Sequence, residues 1–202
     1  MNLVALIKPS RKIYDEVKNI KSKVFKKYGK QMYIDHLPHI TIFDLKIKKS
    51  LLTKKYRSDL KIKNLKQKDL NLLVKKRHFF KSDPITKKCT YVIFIKKNLL
   101  LKKIQTKLLK KFSYIKKIKN IKFDNKEFAK NNKIFGYPFV NNSWKPHITI
   151  VSIDKKNMKD SLFKKFLSIR QNHRENFKFI YFYKYNDGKH IFLWKSKIIN
   201  DK

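Results

Sequence analysis

Two kinds of periodicity alternate along the chain. Leu3-Val4-Ala5-Leu6-Ile7 is a continuous apolar run of strand length, closed by Lys8-Pro9-Ser10. Ile13, Val17, Ile20 and Val24 then recur at helical spacing. They predict an amphipathic helix from Arg11 to Tyr28, with Ser10 as its N-cap and Gly29 as its stop. Period-two alternation from Leu37 to Leu45 reads as a strand, so the chain opens strand, helix, strand. Residues 46–69 are lysine-rich with scattered apolar positions and predict at most a short helix, and Leu70–Phe80 predicts a strand closed by Ser82-Asp83-Pro84. The same order then returns. Tyr91–Ile95 is a β-branched and aromatic run, and Asn98 can cap a helix from Leu99 to Tyr114 carrying Leu101, Ile104, Leu108 and Phe112 on one face. Pro146–Ile153 reads as a further strand. Asp154 is placed to cap a helix running to Leu167. Phe177–Tyr185 and Ile191–Ile199 predict a hairpin across Asn186-Asp187-Gly188, too dense in apolar side chains for a solvated edge.

One string ties the two halves together. Pro38-His39-Ile40-Thr41-Ile42 recurs as Pro146-His147-Ile148-Thr149-Ile150, 108 positions later, in a chain with only five prolines and six histidines. Each copy follows a strand-helix unit, so the sequence repeats its order of elements while matching by residue only at this string. From the first residue of the leading strand to the motif histidine there are 36 positions in the first half and 56 in the second, leaving an added stretch within residues 119–144. That stretch is rich in asparagine and aromatics. It reads either as a flap whose rings stack a nucleobase, with Trp144 and Tyr137 as candidates, or as a surface loop pinned by those rings.

On a strand, histidine and threonine at i and i+2 share one face while the isoleucines hold the other in the core. Two such strands side by side would converge two imidazoles and two hydroxyls on one space. Histidine titrates near 6.5, so one ring can take a proton from an attacking oxygen while the other gives one to the leaving oxygen. The hydroxyls of Thr41 and Thr149 can donate to non-bridging phosphate oxygens. This scheme suits phosphodiester cleavage and calls for no metal, no cofactor and no covalent intermediate. His39, His147, Thr41 and Thr149 are therefore the candidate catalytic residues, and Phe43, two residues beyond Thr41, joins Trp144 and Tyr137 as a candidate substrate contact.

Two H-x-T-hydrophobic tetrapeptides about a hundred residues apart, each at the start of a strand, resemble the 2H phosphoesterase superfamily. That group includes 2′-5′ RNA ligase-like proteins and RNA 2′,3′-cyclic phosphodiesterases. The resemblance implies an α+β fold that is bilobed and pseudo-twofold, with duplicated β-α-β units and antiparallel sheets around a central cleft. It also implies hydrolysis of 2′,3′-cyclic phosphates of RNA ends or nucleotides. Alternatives are cleavage of 2′-5′ linked or cyclic oligonucleotide signals, trimming of RNA 3′ ends, and a catalytically idle RNA-binding module. Many relatives carry a basic residue shortly after the second motif, where this chain has Val151-Ser152-Ile153. Two near-identical motifs give little ground for ordering the roles. We take His147 as base and His39 as acid.

Length and charge add bounds. A chain of 202 residues suits a single domain, and a monomer is expected. The formal charge of +39 favours polyanionic partners, RNA above all, but only five of the 53 basic residues are arginine, a bias that codon composition alone can produce. Cys89, the one cysteine, excludes an internal disulfide and reads as a small core residue of a protein in a reducing, cytoplasmic compartment. No apolar run reaches the length of a membrane span, and Met1–Ile7 lacks the basic leader of a secretory signal. His36 and His39 have metal-like spacing, but strand alternation would turn them to opposite faces with no acidic cluster nearby, so no metal site is expected. His78, His173 and His190 read as solvated or packing side chains.

Overall fold

Caps and apolar spacing set the elements largely where the pattern puts them. The computed structural model describes residues 1–118, 120–186 and 189–201, the side chains of residues 67, 170, 171 and 172 excepted. In chain order the strands and α-helices are β1 (Asn2–Ile7), α1 (Arg11–Tyr28), β2 (Ile40–Ile47), β3 (Leu60–Lys63), β4 (Asn71–Phe80), β5 (Cys89–Ile95) and α2 (Leu99–Phe112). They continue with β6 (Lys116–Lys117), α3 (Lys126–Phe135), β7 (His147–Ile153), α4 (Ser161–Ser168), β8 (Arg170–Asn176), β9 (Phe179–Asn186) and β10 (Lys189–Asp201). The Ser10 hydroxyl accepts from the Ile13 amide at the start of α1, and Asn98 accepts from Leu101 at the start of α2 (2.8 Å). Gly29 ends α1 at φ 67°, a conformation that favours glycine.

The architecture is mixed α+β, with four α-helices and one large open sheet among the described residues. Its strand order is β3-β10-β9-β1-β2-β7-β5-β4-β8, with β6 alongside β2. Neighbours on that path run antiparallel except β10 and β3, which are parallel. The helices pack crosswise: α1, between β1 and β2 in sequence, lies against β7, and α2, between β5 and β7, lies against β2. Their inward faces carry Ile13, Val17 and Val24 from α1 and Leu101, Ile104, Leu108 and Phe112 from α2, all within one continuous core. No helix among the described residues is long and apolar enough to cross a membrane.

Three expectations change. The Asn-rich stretch is no open loop: Asn125 accepts from the amides of Glu127 and Phe128, and Gly136, left-handed at φ 71°, ends the helix α3. Asp154 caps only a short 3₁₀ turn, and α4 begins at Ser161 under Asp160, whose carboxylate accepts from the Leu162 amide. Residues 46–69 hold 3₁₀ turns and the strand β3 rather than an α-helix. The hairpin of β9 and β10 sits inside the sheet as expected, with β9 between β1 and β10, while its turn at Asp187 and Gly188 lies outside the described residues.

Candidate functional site

β2 and β7 meet at a single residue pair, Ile40 opposite Ile148. These are the residues that follow the two motif histidines. In an antiparallel register that pair sets His39 across from Thr149 and Thr41 across from His147. The two histidines then lie on a diagonal, about 7–8 Å apart at the backbone in a regular ladder. All four side chains line one cavity of about 450 Å³.

Each motif strand breaks its alternation at the same letter. Against β1, Thr41 pairs with Leu6 and Phe43 with Ala5, skipping Ile42; against β5, Thr149 pairs with Val92 and Val151 with Tyr91, skipping Ile150. One extra residue at each place flips every later side chain to the other face. Asp44 therefore joins Thr41 on the cavity wall, and Phe43 turns into the core, fully buried with its ring 5.5 Å from that of Phe112. Phe43 is thus a packing residue and not a substrate contact. Ser152, at the matching place on β7, is also fully buried and bonded to the hydroxyls of Thr86 and Thr90 (2.7 and 2.8 Å), so it offers no group to the cavity.

Past Ile40 the edge of β2 parts from β7, and its carbonyls find side chains instead of a strand. The Trp144 indole N–H donates to the Thr41 carbonyl (3.2 Å). The buried Gln105 amide donates to the carbonyls of Ile42 (2.9 Å) and Phe139 (3.0 Å). Trp144 and Tyr137 do line the cavity, but at 3 and 6% exposure they form fixed wall rather than a free stacking ring. Replacing Gln105 by leucine strands two carbonyls beneath the motif, and a buried unsatisfied group costs about 1–3 kcal/mol. We expect a loss of at least that size in equilibrium urea unfolding of Gln105→Leu.

Both imidazoles are held alike. His39 Nδ1 lies 2.5 Å from the Leu37 carbonyl, and His147 Nδ1 lies 2.6 Å from the Lys145 carbonyl. A carbonyl only accepts, so Nδ1 carries the proton in each ring and Nε2 is left as the proton-accepting atom. The Thr41 hydroxyl, 3.0 Å from His39 Nε2, donates to it in this state. Burial pushes the His39 pKa down, helped by nearby His190 and against the pull of the Leu37 carbonyl, to about 3. Burial also lowers His147, but there the Lys145 carbonyl and the Asp83 carboxylate both oppose the shift. The rings differ in surroundings too: Phe80 sets its edge against His147 (5.2 Å between centroids), whereas His190 sits edge-on to His39 (5.1 Å).

His36 and His190 are site residues that the sequence reading passed over. Residues 33–36 form a turn rather than a strand, so His36 is not turned away from His39, and both line the cavity. His36 Nε2 lies 2.9 Å from the Tyr185 hydroxyl, and its ring meets His190 at 5.3 Å. The turn is tied down by Lys21, a buried amine that donates to the carbonyls of Tyr33 and His36 (both 2.6 Å) and that burial lowers to about 7. His78 stacks on Phe94, in keeping with a packing role. The lysine excess stops at the rim: the lining holds Asp44 and Asp83 against one lysine, Lys145.

No family model matches the chain, and no curated protein does. Among solved structures it is similar to TT0787 of Thermus thermophilus, over 98% of this chain and 97% of that one, at 11% sequence identity and a TM-score of 0.54. At that identity the likeness shows the fold alone.

Proposed function

We propose that this chain is a metal-independent phosphodiesterase of the 2H type that opens the 2′,3′-cyclic phosphate of an RNA end or nucleotide. The observation that carries the reading is the single Ile40–Ile148 pair, which sets two His-x-Thr faces head to tail on one cavity. We read β1-α1-β2 and β5-α2-β7 as two copies of one unit about a pseudo-twofold axis that passes between those isoleucines. The strand order, reading outward from β2 and β7, and the shared register shifts at Ile42 and Ile150 support that duplication.

In the reaction, water attacks phosphorus and passes its proton to one imidazole. The P–O bond to a ribose oxygen breaks, and that oxygen takes a proton from the other imidazole, leaving a ribose hydroxyl and a phosphate monoester. Thr41 and Thr149 donate to the non-bridging oxygens as charge builds there. The electrostatics support the reverse of the order expected from sequence, with His39 as base and His147 as acid. The productive form needs a neutral base beside a charged acid, and it dominates when the base has the lower pKa. His190 and Lys21 disfavour the cation at His39, whereas the Asp83 carboxylate favours it at His147.

The test is a product-resolved assay on 2′,3′-cyclic nucleotides, 2′-5′ oligoadenylate and short 3′-5′ RNA, with and without EDTA. We expect opening of the cyclic phosphate to a monoester at a rate that EDTA does not change. Loss of turnover with the chelator, or RNA binding without turnover of any of the three, overturns the proposal.

A further inference from the structure

A strip of rings and ammonium groups leads away from the cavity along the sheet. On β9 every second residue from Phe179 to Tyr185 is aromatic, while Ile180 and Phe182 between them are buried in the core. The residues of β10 that pair with Tyr185, Tyr183, Tyr181 and Phe179 are His190, Phe192, Lys195 and Lys197. A register shift between Phe192 and Trp194 keeps both lysines in phase with the aromatic row. Lys8, just past β1, sets its amine 4.6 Å from the Tyr181 ring centre and 5.6 Å from that of Tyr183, and Lys195 sets its own 4.7 Å from Phe179.

The strip begins at the candidate site. Ring contacts run from His39 to His190 (5.1 Å), from His190 to Tyr183 (5.9 Å) and from Tyr183 to Phe192 (5.6 Å). A second hollow of about 340 Å³, which includes Lys8, Arg11 and Tyr14, shares Leu37 and His39 with the main cavity. Tyr183 is buried, but Phe192 is 53% exposed. Successive residues on one face of a strand stand about 6.8 Å apart, so the rings of β9 follow one another at a spacing that suits the bases of an extended strand, with the amines of Lys8 and Lys195 beside them for its phosphates.

We infer that this face binds a single-stranded polynucleotide whose terminal phosphodiester enters the His39–His147 cavity. Bases stack on Phe192, Tyr181 and Phe179, and phosphates are neutralised by Lys8, Arg11, Lys195 and Lys197. The inference rests on the proposed reaction and narrows its substrate from a free cyclic nucleotide to the end of a chain. The charge distribution favours it: the cavity lining holds one lysine, enough for one phosphate, while the cations needed for the others lie along the strip.

The test compares a short oligoribonucleotide ending in a 2′,3′-cyclic phosphate with the corresponding cyclic mononucleotide. Lys8, Lys195 and Phe192 are exposed, so their replacement spares the core. In Lys8→Ala/Lys195→Ala and in Phe192→Ala, the ratio of kcat/KM for the oligonucleotide to that for the mononucleotide falls about tenfold or more, the size expected for a lost base stack or lost phosphate contacts. Loss of two phosphate contacts also makes the log–log salt dependence of oligonucleotide affinity shallower by about 1.4. An unchanged ratio and an unchanged salt slope, in a wild type that turns over both substrates, overturn the inference and leave the reaction standing. If neither substrate is turned over yet both variants lose oligonucleotide affinity, the strip stands and the reaction falls.

Discussion

Replacing either His39 or His147 by alanine lowers kcat/KM on a 2′,3′-cyclic phosphate by about 10²–10⁴-fold, the range for loss of a general acid or base. Removing both costs little more than removing one, because each ring completes a proton transfer that the other cannot finish alone. Neither ring belongs to the hydrophobic core. Both are half-buried on the cavity wall, each tied by Nδ1 to a carbonyl two residues earlier in its own chain segment. The single variants therefore keep their cooperative thermal melts while losing turnover. Turnover that survives in either one shows that the pair does not act on a common phosphorus.

Phe43→Ala does the opposite. Truncating a fully buried phenylalanine costs about 3–5 kcal/mol. In a domain of this size that lowers Tm on the order of 10 °C. Its ring packs against Phe112 and Phe182 under β2, with no face on the cavity. Below the lowered Tm, kcat and KM stay close to those of the wild type. A raised KM at unchanged stability would return Phe43 to the substrate site.

The contrast between these residues marks where the sequence is informative. Pro38–Ile42 and Pro146–Ile150 were legible because identical letters and a two-residue period are local signals. Phe43 was misplaced because that period was carried through Ile42, where an extra residue resets the facing of the strand. Two adjacent apolar residues, Ile42-Phe43 and Ile150-Val151, are the trace this leaves in the sequence. His190 reaches His39 through strand pairing across β10, β9, β1 and β2, and nothing in its neighbourhood along the chain announces that distance. Strands β3 and β8, the two ends of the sheet path, escaped notice because β3 is only four residues long and β8 carries no apolar residue. Helix α3 carried both of its signals, Asn125 at one end and Gly136 at the other, inside a composition that otherwise reads as loop.

The pH dependence of kcat/KM tests the central claim most directly. A neutral His39 and a charged His147 give a bell. Because both rings are lowered from their ordinary value, its maximum falls below about pH 6.5. The acidic limb, set by protonation of the base, disappears in His39→Ala, and the basic limb, set by loss of the acid's proton, disappears in His147→Ala. A rate that climbs steadily with pH in the wild type, or a bell that survives intact in either variant, contradicts the account.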